Sequence, residues 1–436
     1  MRLRAAHWVS IGTASALVAL AGCGGGSSGD SAGGSKSSDG SVTLSWQMWA
    51  SGAEEEKQLK HLAGLVTEKH PKIKVDVDTA PFKDYFTKMQ TQAAGGEQPC
   101  IVSMQSLRLP GFAELMEPLD EHLGKTGADG FEPAATEALQ YDGKTYALPM
   151  DLAAMVVYYN KDAFAKAGVD EPGGDWTLAD FEKAAESLTR DGKKGFGLSF
   201  SDLHSLTMAL TYNGARPATA DGKPQLDDPK LVEAYDWYAG LATKAKSASV
   251  PASSSDGGWA ETQFVNGNTA MAVDGTWNLG SHTGEAKFKV GVAPIPAGPD
   301  GSRTYVANSG FGMSKSCAYK EETAKALAVL TGPEAQQYLA EQGRVFPART
   351  DAQPAYEKFL TDQNSGNPDG AATVKLGMKA VKDGLAGGEP FVGTEDWDQV
   401  NTLFSQYLLE AYTGSKSAKE ALTTIQQKSA QQKSAG

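Results

Sequence analysis

The stretch Gly143–Lys161, GKTYALPMDLAAMVVYYNK, constrains the fold more than any other part of the chain. It opens as a strand, Thr145–Leu148, entered from a turn at Asp142-Gly143. It resumes as Ala154–Tyr159, a continuous apolar run of the kind buried on both faces of a sheet. Between the two stand Pro149 and an acid, Asp151. Proline cannot donate to a ladder, so one uninterrupted central strand is disfavoured. The chain therefore leaves one α/β lobe here and enters a second, with Asp151 facing the gap.

The pattern before this crossing is βαβα. Val42–Met48 reads as a strand ending at Trp49-Ala50-Ser51, and a helix follows from Glu54 with Leu59, Leu62, Ala63 and Val66 on one stripe. Ile73, Val75 and Val77 alternate as a second strand. Phe82, Phe86 and Met89 space a helix, and Ile101–Met104 is a third strand. Such an order gives a parallel sheet, whose ligands sit beyond the carboxyl ends of the strands, here Trp49–Ser51 and Gln105–Leu107. After the crossing the pattern restarts. Thr177 caps a helix with Asp180 in the third position, and Gly195–Phe200 is strand-like with Asp202 and His204 just beyond. Ala270–Val273 is a buried strand running into Asp274-Gly275-Thr276-Trp277, and Thr304–Ser314 is extended. From Tyr319 the chain is mostly helical, with a loop at Arg344–Pro347.

The N-terminus is a targeting segment. Arg2 and Arg4 precede a short apolar run, Val9–Ala21, and small residues lead to Cys23, so 1–22 reads as a signal peptide too short to span a bilayer at ~20 residues. Residues 23–42 read as a flexible tether, since Gly24–Gly40 holds no apolar residue except Ala32. Its glycines, Gly24, Gly26 and Gly29, fit G-x-G-x-x-G by accident, with no strand before them and no helix after. The formal net charge of −13, with 40 Lys+Arg against 53 Asp+Glu, and the lack of a basic stripe argue against nucleic acid and against electrostatic docking on anionic lipid.

Three stretches then carry a resemblance. YALPMDLAAMVVYYNKDAF (Tyr146–Phe164), FVNGNTAMAVDGTWNLG (Phe264–Gly280) and VANSGFGMSKS (Val306–Ser316) with TGPEAQQYLAEQGRVFPAR after it are similar to the extracellular solute-binding proteins of bacterial carbohydrate ABC importers, the maltose-binding-protein type. The LAGC ending at Cys23 resembles a bacterial lipobox, which implies a lipid-modified cysteine on the outer face of the cytoplasmic membrane. The resemblance implies an α/β, two-lobe periplasmic-binding-protein-like (type II) fold with hinge strands and a mostly helical C-terminal part. Lobe 1 would comprise 43–150 and 307–349, lobe 2 151–306 and 350–436. It implies capture of a sugar or oligosaccharide by hinge closure and delivery to an integral-membrane permease, by a monomer that touches the membrane through its lipid only and needs no cofactor.

Sugars need flat apolar faces for ring carbons and acceptors or donors for hydroxyls. Trp277, after a strand in the DGTW motif, matches the family position where an aromatic packs on sugar, and Trp397 and Trp49 suit the same role; each is otherwise a core tryptophan. Asp151 is the leading polar candidate, against a structural hinge carboxylate. Ser51, Gln105 and Ser106 are candidates by location, Asp202 and His204 by their place in the second lobe, and Asp274 and Arg344 by theirs beside Trp277 and in the late loop. The family's aromatic position after the third strand is Met104 here, so maltose itself is not implied. The resemblance also lays the third strand antiparallel to the GFGMSKS strand, which would bring Cys100 and Cys317 together as a disulfide, the alternative being two buried thiols.

Two rival readings stay open from the residues. A secreted carbohydrate-active hydrolase would use a carboxylate pair whose separation a sequence does not give. A surface-attached sugar-sensing or adhesion protein would keep fold and anchor and change the partner. No H-E-x-x-H or C-x-x-C spacing supports a metal site.

Overall fold

The computed structural model describes residues 33–123, 130–219, 222–253, 258–366, 370–391 and 393–435. The expected signal segment, Cys23 and the tether up to residue 32 lie outside the described residues. Among the described residues there are two seven-stranded sheets and no helix long and apolar enough to cross a membrane.

The first sheet grows around Val42–Trp49, whose alternate side chains Val42, Leu44, Trp46 and Met48 are buried. It runs parallel to Ile73–Ala80 on one side and to Ile101–Gln105 on the other. A late strand, Ser309–Ser314, lies antiparallel to Ile101–Gln105 with Ser309 opposite Gln105, and carries Ala147–Pro149 on its other edge. Gly310 is required there: a Cβ would stand 2.3 Å from the Leu148 carbonyl oxygen. Helices Ala53–Lys69 and Lys320–Leu330 close one face over Leu59, Leu62, Phe311, Met313 and Leu327. Cys100 and Cys317 are joined by a disulfide, Cα atoms 4.8 Å apart.

The second sheet is built on Ala153–Asn160, buried at every position as its apolar sequence demands. Thr269–Gly275, Val290–Ala293 and Tyr305–Ala307 pair with it antiparallel, and Lys194–Gly197 continues the sheet parallel to Thr269–Gly275. The helix Leu178–Leu188 starts in the expected reciprocal cap: the Asp180 N–H donates to Thr177 Oγ1 at 3.2 Å, and the Thr177 N–H to Asp180 Oδ2 at 2.9 Å. The late helices Trp397–Tyr412 and Ala418–Ala435 pack on this lobe, with Phe404, Tyr412 and Ile425 in its core.

The chain passes between the sheets after Pro149, and back between Ala307 and Ser309. A third passage follows Phe346, after which Gln353–Gln363 buries Tyr356 and Leu360 against Val156 and Tyr158. The three run side by side: the Met150 N–H donates to Ser309 O (2.8 Å), the Leu152 N–H to Phe346 O (2.9 Å), and Asp151 bridges Pro347.

Several expectations need correction. Gly34–Lys36, within the stretch read as a loose tether, is an antiparallel edge strand on Val42–Leu44, because a bare backbone satisfies a sheet edge without needing apolar side chains. The strand expected over Gly195–Phe200 is Lys194–Gly197, and Asp202 and His204, just beyond it, lie in the first turn of a buried helix, Asp202–Asn213. Trp397, a candidate sugar-packing ring, is the first residue of the helix Trp397–Tyr412.

Candidate functional site

The carboxyl ends of the first-sheet strands face the second lobe, and Arg108 bridges the gap. The 3-10 turn Ser106–Arg108 follows the strand Ile101–Gln105 directly and turns Arg108 towards the other lobe. Its side chain is 5% exposed. Nε donates to Asp398 Oδ1 at 3.1 Å, Nη2 lies 3.9 Å from Asp202 Oδ2, and Nη1 donates to Gln105 Oε1. The guanidinium also lies over the rings of Phe86 (4.7 Å) and Phe82 (5.5 Å). Arg108, Phe112, Trp397, Asp398 and Gln399 line a cavity of about 260 Å³ beside this contact. The lobes therefore touch through a desolvated cation held by carboxylates of the opposite lobe.

Deeper in, Arg344 is 6% exposed. Its Nη1 lies 2.9 Å from Glu55 Oε1 and its Nη2 donates to the Trp49 carbonyl at 3.5 Å, while Nε has no acceptor. A buried guanidinium donor without a partner is poised for an acceptor brought by a ligand. Trp49 is half-buried, edge-on to Phe82 (5.6 Å) and Tyr85 (5.2 Å). Trp277 is likewise half-buried and stands edge-on to His204 at 6.1 Å. The helix after it, Leu279–Glu285, approaches the Arg344 loop at Gly343, whose carbonyl oxygen a Cβ on Gly280 would meet at 3.4 Å. Trp49 and Arg344 thus stand together in the first lobe, and the segment carrying Trp277 in the second comes close to the Arg344 loop.

Asp151 is committed to the hinge. Oδ1 accepts the Ser309 N–H at 2.5 Å and Oδ2 accepts the Ser309 hydroxyl at 2.8 Å, so one crossing is tied to the next. Burial pushes its carboxyl up to about 6, against the pull of these donors and of Arg344. Ser106 does similar work: its N–H donates to Asn308 O and its hydroxyl accepts the Asn308 N–H. Ser51 is exposed, its N–H donating to Glu55 Oε2 at 2.6 Å.

Three expected ligand contacts are placed elsewhere. Asp274 is fully buried and its carboxylate is saturated: Oδ1 takes the Gly275 N–H (2.6 Å) and His204 Nε2 (3.0 Å), Oδ2 takes Asn278 Nδ2 (2.8 Å) and His282 Nε2 (2.6 Å). That leaves no lone pair for a sugar hydroxyl. His204 points inward to the same carboxylate and to Glu261 Oε1 at 2.9 Å. Desolvation pulls its pKa down, but the Glu261 and Asp274 charges outweigh this and raise it to about 10. Desolvation likewise opposes ionisation of Asp274, yet the two histidines hold it below the usual carboxylate range. His204, Glu261 and Asp274 converge as metal ligands would, but at hydrogen-bond separations and with the Asp274 oxygens already filled, so the cluster reads as an internal ion-pair network. Trp397 is 1% exposed among Phe391 and Phe404, so its face is core; its Nε1 donates to Asp202 Oδ2 at 3.0 Å and fixes that carboxylate towards Arg108.

Arg108, Asp398 and Glu55 were not among the sequence candidates. The available signal was Arg108 itself, a lone cation in the apolar run Leu107–Phe112 at the end of a strand.

A family model described as bacterial extracellular solute-binding protein matches residues 49–337. A putative binding protein of Brucella abortus is 27% identical over 265 residues, which is 59% of this chain and 64% of that protein's length. A maltooligosaccharide ABC transporter solute-binding lipoprotein of Streptococcus pneumoniae is 26% identical over 339 residues, 70% of this chain and 76% of that one. Among solved structures, an ABC substrate-binding protein of Listeria monocytogenes in complex with cycloalternan superposes with a TM-score of 0.75 at 26% identity, covering 88% of this chain and 97% of that one.

Proposed function

The chain belongs to the bacterial extracellular solute-binding proteins, and on that premise we propose that it captures a sugar or oligosaccharide between its lobes and delivers it to an integral-membrane ABC permease. The observations that carry this reading are half-buried Trp49 of the first lobe and Trp277 of the second, which we read as two walls of a cleft, and buried Arg344, whose Nε donor has no acceptor. A neutral polyol is suited to such walls, with apolar ring carbons against indole and hydroxyl oxygens towards the guanidinium. The pneumococcal relative is named for maltooligosaccharides and the Listeria structure holds cycloalternan, which supports carbohydrate as the solute class.

Hinge closure follows from a ligand touching both walls: contacts available only when the lobes are shut shift the equilibrium by their own free energy. The lobes would divide as 43–150 with 307–349 and 151–306 with 350–436, the crossings at Asp151 and Ser309 acting as hinge. Residues 1–22 would be removed and Cys23 lipidated, anchoring a monomer to the outer face of the cytoplasmic membrane. The family binds its solutes rather than transforming them, and we read this chain likewise.

The test is calorimetry and thermal shift with a panel of mono- and oligosaccharides, together with product analysis. Saturable stabilisation without turnover, scaling as RT ln(1 + [L]/Kd), is expected. Turnover would point to the hydrolase reading, and no response to any carbohydrate would refute the solute class.

A further inference from the structure

A second cavity, of about 470 Å³, lies beside the crossing segments and shares no lining residue with the one at Arg108. One wall comes from Glu132 and the helix Pro133–Glu137, which packs on the first-sheet strand Ala147–Pro149. The opposite wall is Lys382 and Leu385 of the helix Gly370–Gly387, which packs on Val290–Ala293 and Ala153–Asn160 of the second sheet. Leu152, Phe346 and Asn308, all in crossing segments, lie between them. Any movement of one lobe against the other changes the separation of these walls.

Asn308 is the telling residue. It is 4% exposed, its Nδ2 donates to Ala135 O at 2.7 Å, and its Oδ1 is buried with no donor. A buried carbonyl without a donor costs free energy that an incoming N–H would recover. Glu132 stands on the same wall, and Lys382 on the facing one; among the described residues neither is in an ion pair. The lining thus sets a carboxylate on one wall against an ammonium on the other, with apolar side chains and the unpartnered amide oxygen of Asn308 between them. Its volume falls in the range of about 300–1,000 Å³ usual for small-molecule sites.

We propose that this cavity binds a small zwitterion with an apolar body, of the amino-acid or dipeptide type, and that the bound molecule holds the lobes in the shut arrangement. The ammonium meets Asn308 Oδ1 and Glu132, the carboxylate meets Lys382, and the apolar body lies against Leu152, Phe346 and Leu385. Because the cavity has this size while Arg108 spans the lobes to Asp398, an occupant fitted to it selects that state. By reciprocity, a solute that closes the lobes tightens the occupant, and the occupant tightens the solute.

The probe is L-leucyl-L-phenylalanine, titrated calorimetrically into the protein without sugar, with melting temperature and small-angle scattering in parallel. Saturable binding, a raised melting temperature and an unchanged compact radius are expected. Lys382→Ala, at an exposed helical position, is expected to weaken binding at least tenfold, and so is blocking both termini as the N-acetyl amide. Leu385→Trp, which fills the cavity, is expected to abolish it. No heat and no melting shift would overturn the proposal, as would binding that ignores both variants or is equal for the blocked dipeptide. None of these readouts involves a carbohydrate, so their failure leaves the proposed solute untouched.

Discussion

Removing the Cys100–Cys317 bond is expected to destabilise the first lobe, by an amount that reports how the two lobes unfold. The bond closes a loop of 217 residues, for which chain-entropy reasoning gives a stabilisation of about 5 kcal/mol. That value assumes the whole loop is disordered once the lobe unfolds. Most of the second lobe lies inside it, and if that lobe stays folded the free chain is much shorter. The contribution then falls to about 4 kcal/mol, that of a loop of roughly 60 residues. The Cys100→Ser/Cys317→Ser double variant should therefore lose about 4–5 kcal/mol. With an m-value of about 3 kcal/mol/M, the urea midpoint falls by about 1.3–1.7 M. The assay is urea unfolding followed by tryptophan fluorescence, with far-UV circular dichroism as a second probe. Two separated transitions, only the first moved by the variant, would accompany the smaller figure. A loss below about 1 kcal/mol would refute the reasoning. Both sulfurs are buried, so reductant should act on the native protein only as fast as the lobe opens.

Trp277→Ala should weaken carbohydrate binding about tenfold or more, the loss of one ring face, while shifting the unliganded melting temperature little; a large stability loss would mark the ring as core. Arg108→Ala removes the cation between Asp398 and Asp202 and should expand the unliganded protein in small-angle scattering; an unchanged radius would show that the lobes are held by other contacts. Because the folded pKa of His204 is raised to about 10 from 6.5, its stabilisation is complete below pH 6.5 and is lost as pH rises through 10. The melting temperature should fall over that window, and His204→Gln should flatten the fall.

The opening strands and helices of the first lobe were legible because Ile73–Ala80 alternates, the helices Ala53–Lys69 and Phe82–Gly95 carry an apolar stripe, and Ile101–Gln105 is a short apolar run. The crossing at Pro149–Asp151 was legible because proline breaks a run that would otherwise be one strand. The site was legible only by location. Asp274 in an Asp-Gly pair looks like a turn acid facing solvent. Its burial depends on His282, eight residues on, and on His204 from another helix, and neither partner is marked by spacing. Trp397 looked like a ligand face, but the face is filled by Phe391 and Phe404, a matter of tertiary packing. Arg108 shows the converse: its importance lies in Asp398, 290 residues later, which no local pattern reveals.

The strand Ser309–Ser314 has a consequence in time. It fills the place between Ile101–Gln105 and Ala147–Pro149, yet it is made some 200 residues after the first of them. At synthesis rates of about 5–20 residues per second, the edge of Ile101–Gln105 waits roughly 10–40 s for its neighbour. Five strands of the second sheet, between Ala153 and Ala293, are complete before Ser309 appears. The first sheet is therefore closed only after most of the second has been made, and Cys100 meets Cys317 only once Ser309–Ser314 is in place.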